Sequence, residues 1–124
     1  MMTPVISVAL GGAIGATARY FTGQALVRFA GGGFPLGTLT VNVVGSFLMG
    51  IAFILLTQNA PRWSPFLMTG VLGGFTTFSA FSLDAFQLYE RGQSGMALGY
   101  ILASVVLSIA ALAAGVVIAR SILA

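Results

Sequence analysis

Hydroxyl side chains recur at helical spacing in the last third of a strongly apolar chain. Tyr100, Ser104 and Ser108 are each four residues apart, which places their hydroxyl groups on one face of a helix. A hydroxyl can turn its hydrogen toward a passing anion. A lone serine in a membrane helix usually bonds the carbonyl four residues before it, but three aligned hydroxyls are more typical of a polar track.

An amide and a hydroxyl share a second stripe earlier in the chain. Thr38, Asn42 and either Gly45 or Ser46 fall on one helical face by their spacing of three and four residues. The amide NH2 of Asn42 carries two protons that could hold an anion in a pore. The alternative is a hydrogen bond between helices, which contributes roughly 0.6 to 2 kcal/mol in membranes. The sequence leaves both roles open for Asn42.

Two phenylalanines lie three residues apart, at Phe78 and Phe81. Most membrane phenylalanines only pack, but a phenyl ring has a positive edge. Two such edges turned into a narrow pore would attract a small anion without offering a charge that traps it. Beside Asn42 and the hydroxyl track, this pair predicts a site for an anion.

Few charged groups lie within apolar segments. Arg19 is the exception, and an intramembrane charge predicts a functional site. It either enriches anions in an aqueous vestibule or extends to the membrane surface. Asp84 and Glu90 follow near the end of a later apolar segment, where an interfacial or structural role is the simpler interpretation.

The elements that carry these residues must be membrane-spanning helices. Of 124 residues, 58% are hydrophobic and 6% charged, whereas a soluble domain normally carries about a quarter charged residues. A span needs roughly 20 mainly apolar residues, which predicts a single all-α transmembrane domain over residues 1–124. Its predicted spans are 4–28, 35–57, 65–89 and 96–120.

The composition also excludes several kinds of function. The chain contains no Cys and no His, which removes thiol chemistry, haem ligation and the common transition-metal sites. Its net charge of +3 reflects a small excess of arginine without a basic patch, so nucleic acid is not an expected partner. The spans leave no room for an extramembrane enzyme domain, and no paired buried carboxylates indicate an enzyme.

The third predicted span contains a segment that should not continue as a regular helix. Residues 73–82 combine two adjacent glycines with four hydroxyl side chains. Irregular backbone at membrane depth is tolerated only where it is buried in protein or lines a polar cavity. The segment therefore predicts a third helix that is broken within the membrane, and broken helices commonly mark an ion site.

The arginines give no clear orientation. With four spans, Arg62 and Arg120 fall on one side of the membrane, and Arg28 and Arg91 on the other. Orientation follows the bias of Lys and Arg between the two sides, and here that bias is almost zero. We therefore expect insertion in both orientations and assembly as an antiparallel homodimer, in which inverted copies supply the symmetry that other transporters hold in one chain.

The polar motifs of spans 1 to 3 closely resemble those of the small bacterial fluoride channels, the Fluc (CrcB) family. The similarity extends into span 4 through Tyr100 and Ser104. The matching strings are Gly11-Gly12-x-x-Gly15-Ala16-x-x-Arg19-Tyr20, Gly37-Thr38-Leu39-x-Val41-Asn42-x-x-Gly45-Ser46 and Gly73-Gly74-x-Thr76-Thr77-Phe78-Ser79-x-Phe81-Ser82.

The resemblance implies a dual-topology antiparallel homodimer in the bacterial inner membrane. Such a dimer has two narrow pores that conduct fluoride passively out of the cytoplasm and lower its toxicity, with strong selectivity over chloride. It also implies a structural, untransported Na+ on the dimer axis, held by backbone carbonyls of Gly73 and Thr76 from both subunits. The pore residues that it implies are Asn42, Phe78, Phe81, Tyr100 and Ser104.

Two positions depart from the family pattern. Asp84 stands where some members have the longer Glu, and Ala80 stands where Thr is frequent. The first change leaves the role of the acid open, and the second removes one hydroxyl.

Two other functions compete with the channel. A small multidrug exporter also has four spans and can adopt dual topology, but it needs a membrane-embedded carboxylate, and the first span has Arg19 and no acid. The second alternative is a structural subunit that does not transport and whose helices pack through their glycines. The polar residues would then have no function.

Overall fold

The computed structural model describes residues 3–123, and these are almost entirely helical. Four helical segments are long and apolar enough to cross a membrane: Pro4–Ala30, Leu36–Asn59, Pro61–Glu90 and Ser94–Leu123. Each runs past the span predicted from sequence at one or both ends. The third segment is composite, and its interruption determines where most of the polar residues lie.

The helical elements begin and end at residues whose chemistry explains the boundary. Helix α1 (Pro4–Ala30) starts where the Thr3 hydroxyl accepts the Ile6 N–H at 3.3 Å and has proline in its first turn. It ends at Gly31, whose φ of 81° is readily available only to glycine. Helix α2 (Leu36–Asn59) follows directly after Pro35.

The third segment consists of four pieces. A 3-10 turn over Pro61–Trp63 leads into a π-helix over Pro65–Leu72, and α3 (Gly73–Phe75) continues it. The helix is then interrupted at residues 76–78, which we call the break, and resumes as α4 (Ser79–Glu90). A turn at Gly92, with φ of 78°, connects α4 to α5 (Ser94–Leu123).

The sequence predicts an interruption within residues 73–82, and the structure places it at residues 76–78, after the paired glycines. Gly73 is helical, with φ of −64° and ψ of −36°, whereas Thr76 is extended, with ψ of 160°. Gly74 is needed for packing instead: a Cβ atom there would lie 2.8 Å from the Gly12 carbonyl oxygen of α1. The glycines therefore permit close approach, and the threonines after them form the break.

Two helix pairs dominate the packing. Helix α1 packs along the π-helix and α3, and α2 packs along α5. At the α2–α5 crossing a Cβ atom on Gly115 would lie 3.1 Å from the Ile51 nitrogen, so larger side chains would separate the helices. Small residues allow this close approach in membrane bundles.

The buried hydrophobic cluster lies beside the break, between α4 and α5. It consists of Phe81, Leu88, Ala97 and Tyr100, with Phe34, Leu39 and Ala85 packed against it. Phe81 and Tyr100, both predicted pore residues, are thus buried in this cluster.

Candidate functional site

Side chains from α1, α2 and the break itself replace the helical hydrogen bonds that are lost at residues 76–78. The Asn42 Oδ1 accepts the Thr77 N–H at 2.8 Å, and the Asn42 Nδ2 donates to the Thr77 carbonyl at 2.9 Å. The Arg19 Nε donates to the Gly74 carbonyl at 3.1 Å, and the Thr77 hydroxyl accepts the Ala80 N–H at 3.1 Å. The break is therefore held open by specific polar contacts.

These contacts leave two carbonyls without their regular donors. In a continuous helix the Gly73 carbonyl would accept from the Thr77 N–H and the Thr76 carbonyl from the Ala80 N–H. Both N–H groups instead donate to side chains, to Asn42 and Thr77. Gly73 and Thr76 are the residues for which the sequence predicts a backbone cation site.

The larger polar cavity, which we call the main cavity, has a volume of about 480 Å³ and is open along one side of the subunit. It brings together seven of the residues predicted from sequence, from α2, α3, α4, α5 and the break. These are Asn42, Gly73, Thr76, Phe78, Phe81, Ser104 and Ser108.

Two serines of α5 bring hydroxyl groups to the main cavity that have no hydrogen-bond partner within residues 3–123. The Oγ atoms of Ser104 and Ser108 are buried, and Ser104 is only 5% exposed as a residue. A buried polar group without a partner is unfavourable and rare in native proteins. Two of them on one wall indicate that the cavity binds a polar ligand or ion.

The two phenylalanines form the end of the main cavity nearest α4. Phe78 is 75% exposed and Phe81 only 7%, with ring centroids 5.3 Å apart and the rings tilted by 58°. The Phe81 ring also lies 5.3 Å from that of Tyr100. One aromatic row therefore runs from the open cavity into the buried cluster.

Tyr100 and Thr38 have a different environment from the other predicted pore residues. Both donate to the same carboxylate oxygen, the Asp84 Oδ2, at 3.2 Å from the tyrosine hydroxyl and 2.6 Å from the threonine hydroxyl. Tyr100 does not line the main cavity, although Ser104 and Ser108 on the same stripe do. The hydroxyl track is thus divided at the Phe81 ring.

A second cavity of about 340 Å³ lies on the other side of the break and contains Arg19, Thr38 and Asp84. Thr77 lines both cavities. The half-buried Arg19 donates to the Gly74 carbonyl, which lies just before the break. The break and the Asn42–Thr77 hydrogen bonds therefore separate two polar compartments.

The sequence-based prediction does not assign a role to two residues of this site. It omits Thr77, and it leaves the role of Asp84 open. Thr77 bonds Asn42 through its backbone and Ala80 through its hydroxyl, and a sequence pattern does not reveal backbone partners. Asp84 lies 46 residues from Thr38 along the chain. Its occurrence in an apolar span was the available signal, since an acid at such a position requires donors.

Comparison with known proteins gives a consistent result over nearly the whole chain. Residues 6–116 match the family model described as CrcB-like protein, Camphor Resistance (CrcB). A protein of Cereibacter sphaeroides named fluoride-specific ion channel FluC is 58% identical over 120 residues, covering 97% of each chain.

Two further relatives carry the same name. The protein of a Ruegeria species is 56% identical and covers 99% of each chain. That of Agrobacterium fabrum is 53% identical and covers 98% of this chain and 99% of its own. The relatives are named as channels and not as enzymes, and their bacterial origin together with the four apolar helices indicates a multi-pass membrane protein. The chain belongs to the CrcB family of fluoride channels.

Proposed function

We propose that this protein conducts fluoride passively across the bacterial inner membrane, out of the cytoplasm, as an antiparallel homodimer. The observation that carries the proposal is the main cavity, which is lined both by two phenylalanines and by two serines whose buried hydroxyls have no partner within residues 3–123. Relatives that are more than half identical and are named fluoride-specific channels support the choice of ion.

The donors in the main cavity suit a small and strongly hydrated anion. An ion that leaves water needs hydrogen-bond donors in its place, and they must bind weakly enough to release it. Ser104 and Ser108 supply neutral hydroxyls, and Asn42 has one amide proton left after its bond to Thr77. The edges of Phe78 and Phe81 add positive potential without a fixed charge.

Beyond Phe81 the ion meets donors that are already occupied. Thr38 and Tyr100 both donate to Asp84, so either hydroxyl must turn from the carboxylate to bind fluoride. The ion would then replace one anionic acceptor by another. This exchange needs no proton transfer and is compatible with passive conduction.

A second copy of the chain is needed to complete the route. The main cavity is open along one side, and an anion there would be exposed to lipid, where unsatisfied polar groups are costly. The near balance of arginines between the two sides favours insertion in both orientations. Two inverted copies that close each other's cavities would form two pores.

The residues at the break also fit a structural Na+. The family resemblance assigns this ion to backbone carbonyls of Gly73 and Thr76. Gly73 and Thr76 offer carbonyls whose helical donors are taken by Asn42 and Thr77, and a hard cation prefers oxygen ligands. When bound, Na+ would join the two subunits through these carbonyls.

Efflux from liposomes separates this function from that of a small multidrug exporter. Vesicles that contain only this protein and fluoride are given a potassium pathway to balance charge, and released fluoride is followed with an electrode. We expect rapid release without a proton gradient. Release that requires a proton gradient, or proton movement driven by a cationic drug, would support the exporter instead.

A further inference from the structure

The interruption at the break removes the helical hydrogen-bond donors of several backbone carbonyls. Carbonyls 73, 74 and 76 would bond N–H groups 77, 78 and 80 in a continuous helix. Side chains take the N–H groups of Thr77 and Ala80, and Arg19 is the donor to the Gly74 carbonyl. The Gly74 carbonyl thus has a side-chain donor, whereas the carbonyls of Gly73 and Thr76 only lose their helical donors.

The two kinds of carbonyl belong to residues with different surroundings, since Gly74 lines neither cavity. Gly73 and Thr76 line the main cavity. Arg19, which holds the Gly74 carbonyl, lines the second cavity. A guanidinium in the main cavity would repel a cation there, whereas Arg19 lines the second cavity and donates to the Gly74 carbonyl.

Helix α1 packs closely against α3, directly before the break, near the position of the arginine. A Cβ atom on Gly74 would lie 3.2 Å from the Ala16 nitrogen, and one on Gly15 would lie 2.8 Å from the Phe75 nitrogen. Arg19 follows one turn after these contacts, on the same helix. Its side chain is half-buried, and its Nε–H has a fixed direction because the guanidinium is planar.

We propose that Arg19 is a positioning residue for the cation site. By binding the Gly74 carbonyl it fixes the peptide planes of the break so that the carbonyls of Gly73 and Thr76 face the main cavity. The inference rests on the Na+ site proposed above. It differs from a role as a vestibule charge, in which Arg19 would only raise the local fluoride concentration.

Two substitutions separate the two roles. Arg19→Lys retains the positive charge but lacks the planar Nε donor, and Arg19→Met removes both. Arg28→Lys, on an exposed part of α1, is the matched control. Thermal stability of the purified protein is measured over a range of NaCl with a bulky organic cation replacing Na+, because a ligand that binds only the folded protein stabilises it by RT ln(1 + [L]/Kd), which yields an apparent Kd for Na+. Fluoride efflux is measured over a range of fluoride concentrations in the same preparations.

We expect Arg19→Met to raise the apparent Kd for Na+ by about tenfold or more, since a hydrogen bond from a charged donor is lost. Arg19→Lys should also raise it, by about threefold or more, because the ammonium lacks the fixed direction of the guanidinium. The fluoride concentration for half-maximal efflux should be unchanged in Arg19→Lys, and Arg28→Lys should match the wild type in both measurements. If Arg19→Met does not assemble, the Na+ dependence of Arg19→Lys alone distinguishes the two roles of Arg19.

Two results would overturn the inference. One is a Na+ dependence of Arg19→Lys equal to that of the wild type. The other is a wild-type stability that does not respond to Na+, which would remove the cation site and this inference together. Fluoride efflux from the wild type is scored separately, so failure of the proposed conduction is distinguishable from both.

Discussion

At the scale of single residues, the serine hydroxyls of α5 are the sharpest indication of an ion route. Ser104 and Ser108 have buried oxygens without a partner within the described chain, while Tyr100 on the same stripe is bound to Asp84. Removing an unsatisfied buried hydroxyl should not destabilise a protein, since no hydrogen bond is lost. A loss of function without a loss of stability is therefore expected at these two positions.

The double variant Ser104→Ala/Ser108→Ala tests this. We expect fluoride efflux to fall by about tenfold to thirtyfold, because two donors contribute about 1 kcal/mol each to holding the ion. The thermal midpoint should stay the same or rise. Ser121→Ala is the control, because Ser121 lies on the same helix and donates to the Val117 carbonyl at 3.0 Å. Wild-type efflux from the double variant would contradict the assignment.

Phe78 gives a second prediction at this scale. The ring is 75% exposed in the subunit, so little packing depends on it. Phe78→Ile retains an apolar side chain but removes the positive ring edge, and we expect it to abolish efflux while the dimer remains assembled on size-exclusion chromatography. Phe86→Ile, at another exposed position of α4, should conduct normally. Efflux at the wild-type rate from Phe78→Ile would count against the assignment.

At the scale of elements, the break depends on its attachment to α2. Asn42 makes both hydrogen bonds to the Thr77 backbone, and it also lines the main cavity. The sequence leaves two roles open for Asn42, a hydrogen bond between helices and a pore amide. The position of its side chain is compatible with both roles at once. The bonds to Thr77 use Oδ1 and one Nδ2 proton, which leaves the second Nδ2 proton for an anion.

Substitution of Asn42 should act on the whole break. Asn42→Ala leaves the Thr77 N–H and carbonyl without partners, which we expect to destabilise the protein by about 1 to 4 kcal/mol and to abolish efflux. The thermal midpoint in detergent measures the first effect and liposome efflux the second. Asn59→Ala, at the exposed end of α2, is the control. An unchanged midpoint for Asn42→Ala would show that the break does not need this attachment.

The elements also show what the sequence could and could not predict. Four apolar helices and an interruption in the third follow from composition and from the polar segment at residues 73–82. The position of the interruption does not, because Gly73 and Gly74 are helical and the close approach of α1 decides their role. The bond from Thr38 to Asp84 likewise depends on which helices are neighbours, and spacing along one helix does not contain that information.

At the scale of the whole molecule, the charge balance predicts two orientations. Arg62 and Arg120 oppose Arg28 and Arg91, so a C-terminal reporter should be found on both sides of the membrane. Arg62→Gln/Arg120→Gln should bias insertion to one orientation and abolish efflux when expressed alone. Coexpression with Arg28→Gln/Arg91→Gln, which is biased the other way, should restore it. A wild-type reporter found on one side only would contradict dual topology.

The central claim concerns the molecule as a selective anion pathway, and a comparison of two halides tests it most directly. Liposomes that contain only this protein are loaded with equal fluoride and chloride, and the efflux of each ion is followed with its own electrode under the same potassium conductance. The account predicts rapid loss of fluoride and retention of chloride, because the neutral donors around Ser104, Ser108 and Phe78 fit the smaller ion. Equal efflux of the two ions, or none of fluoride, would contradict it.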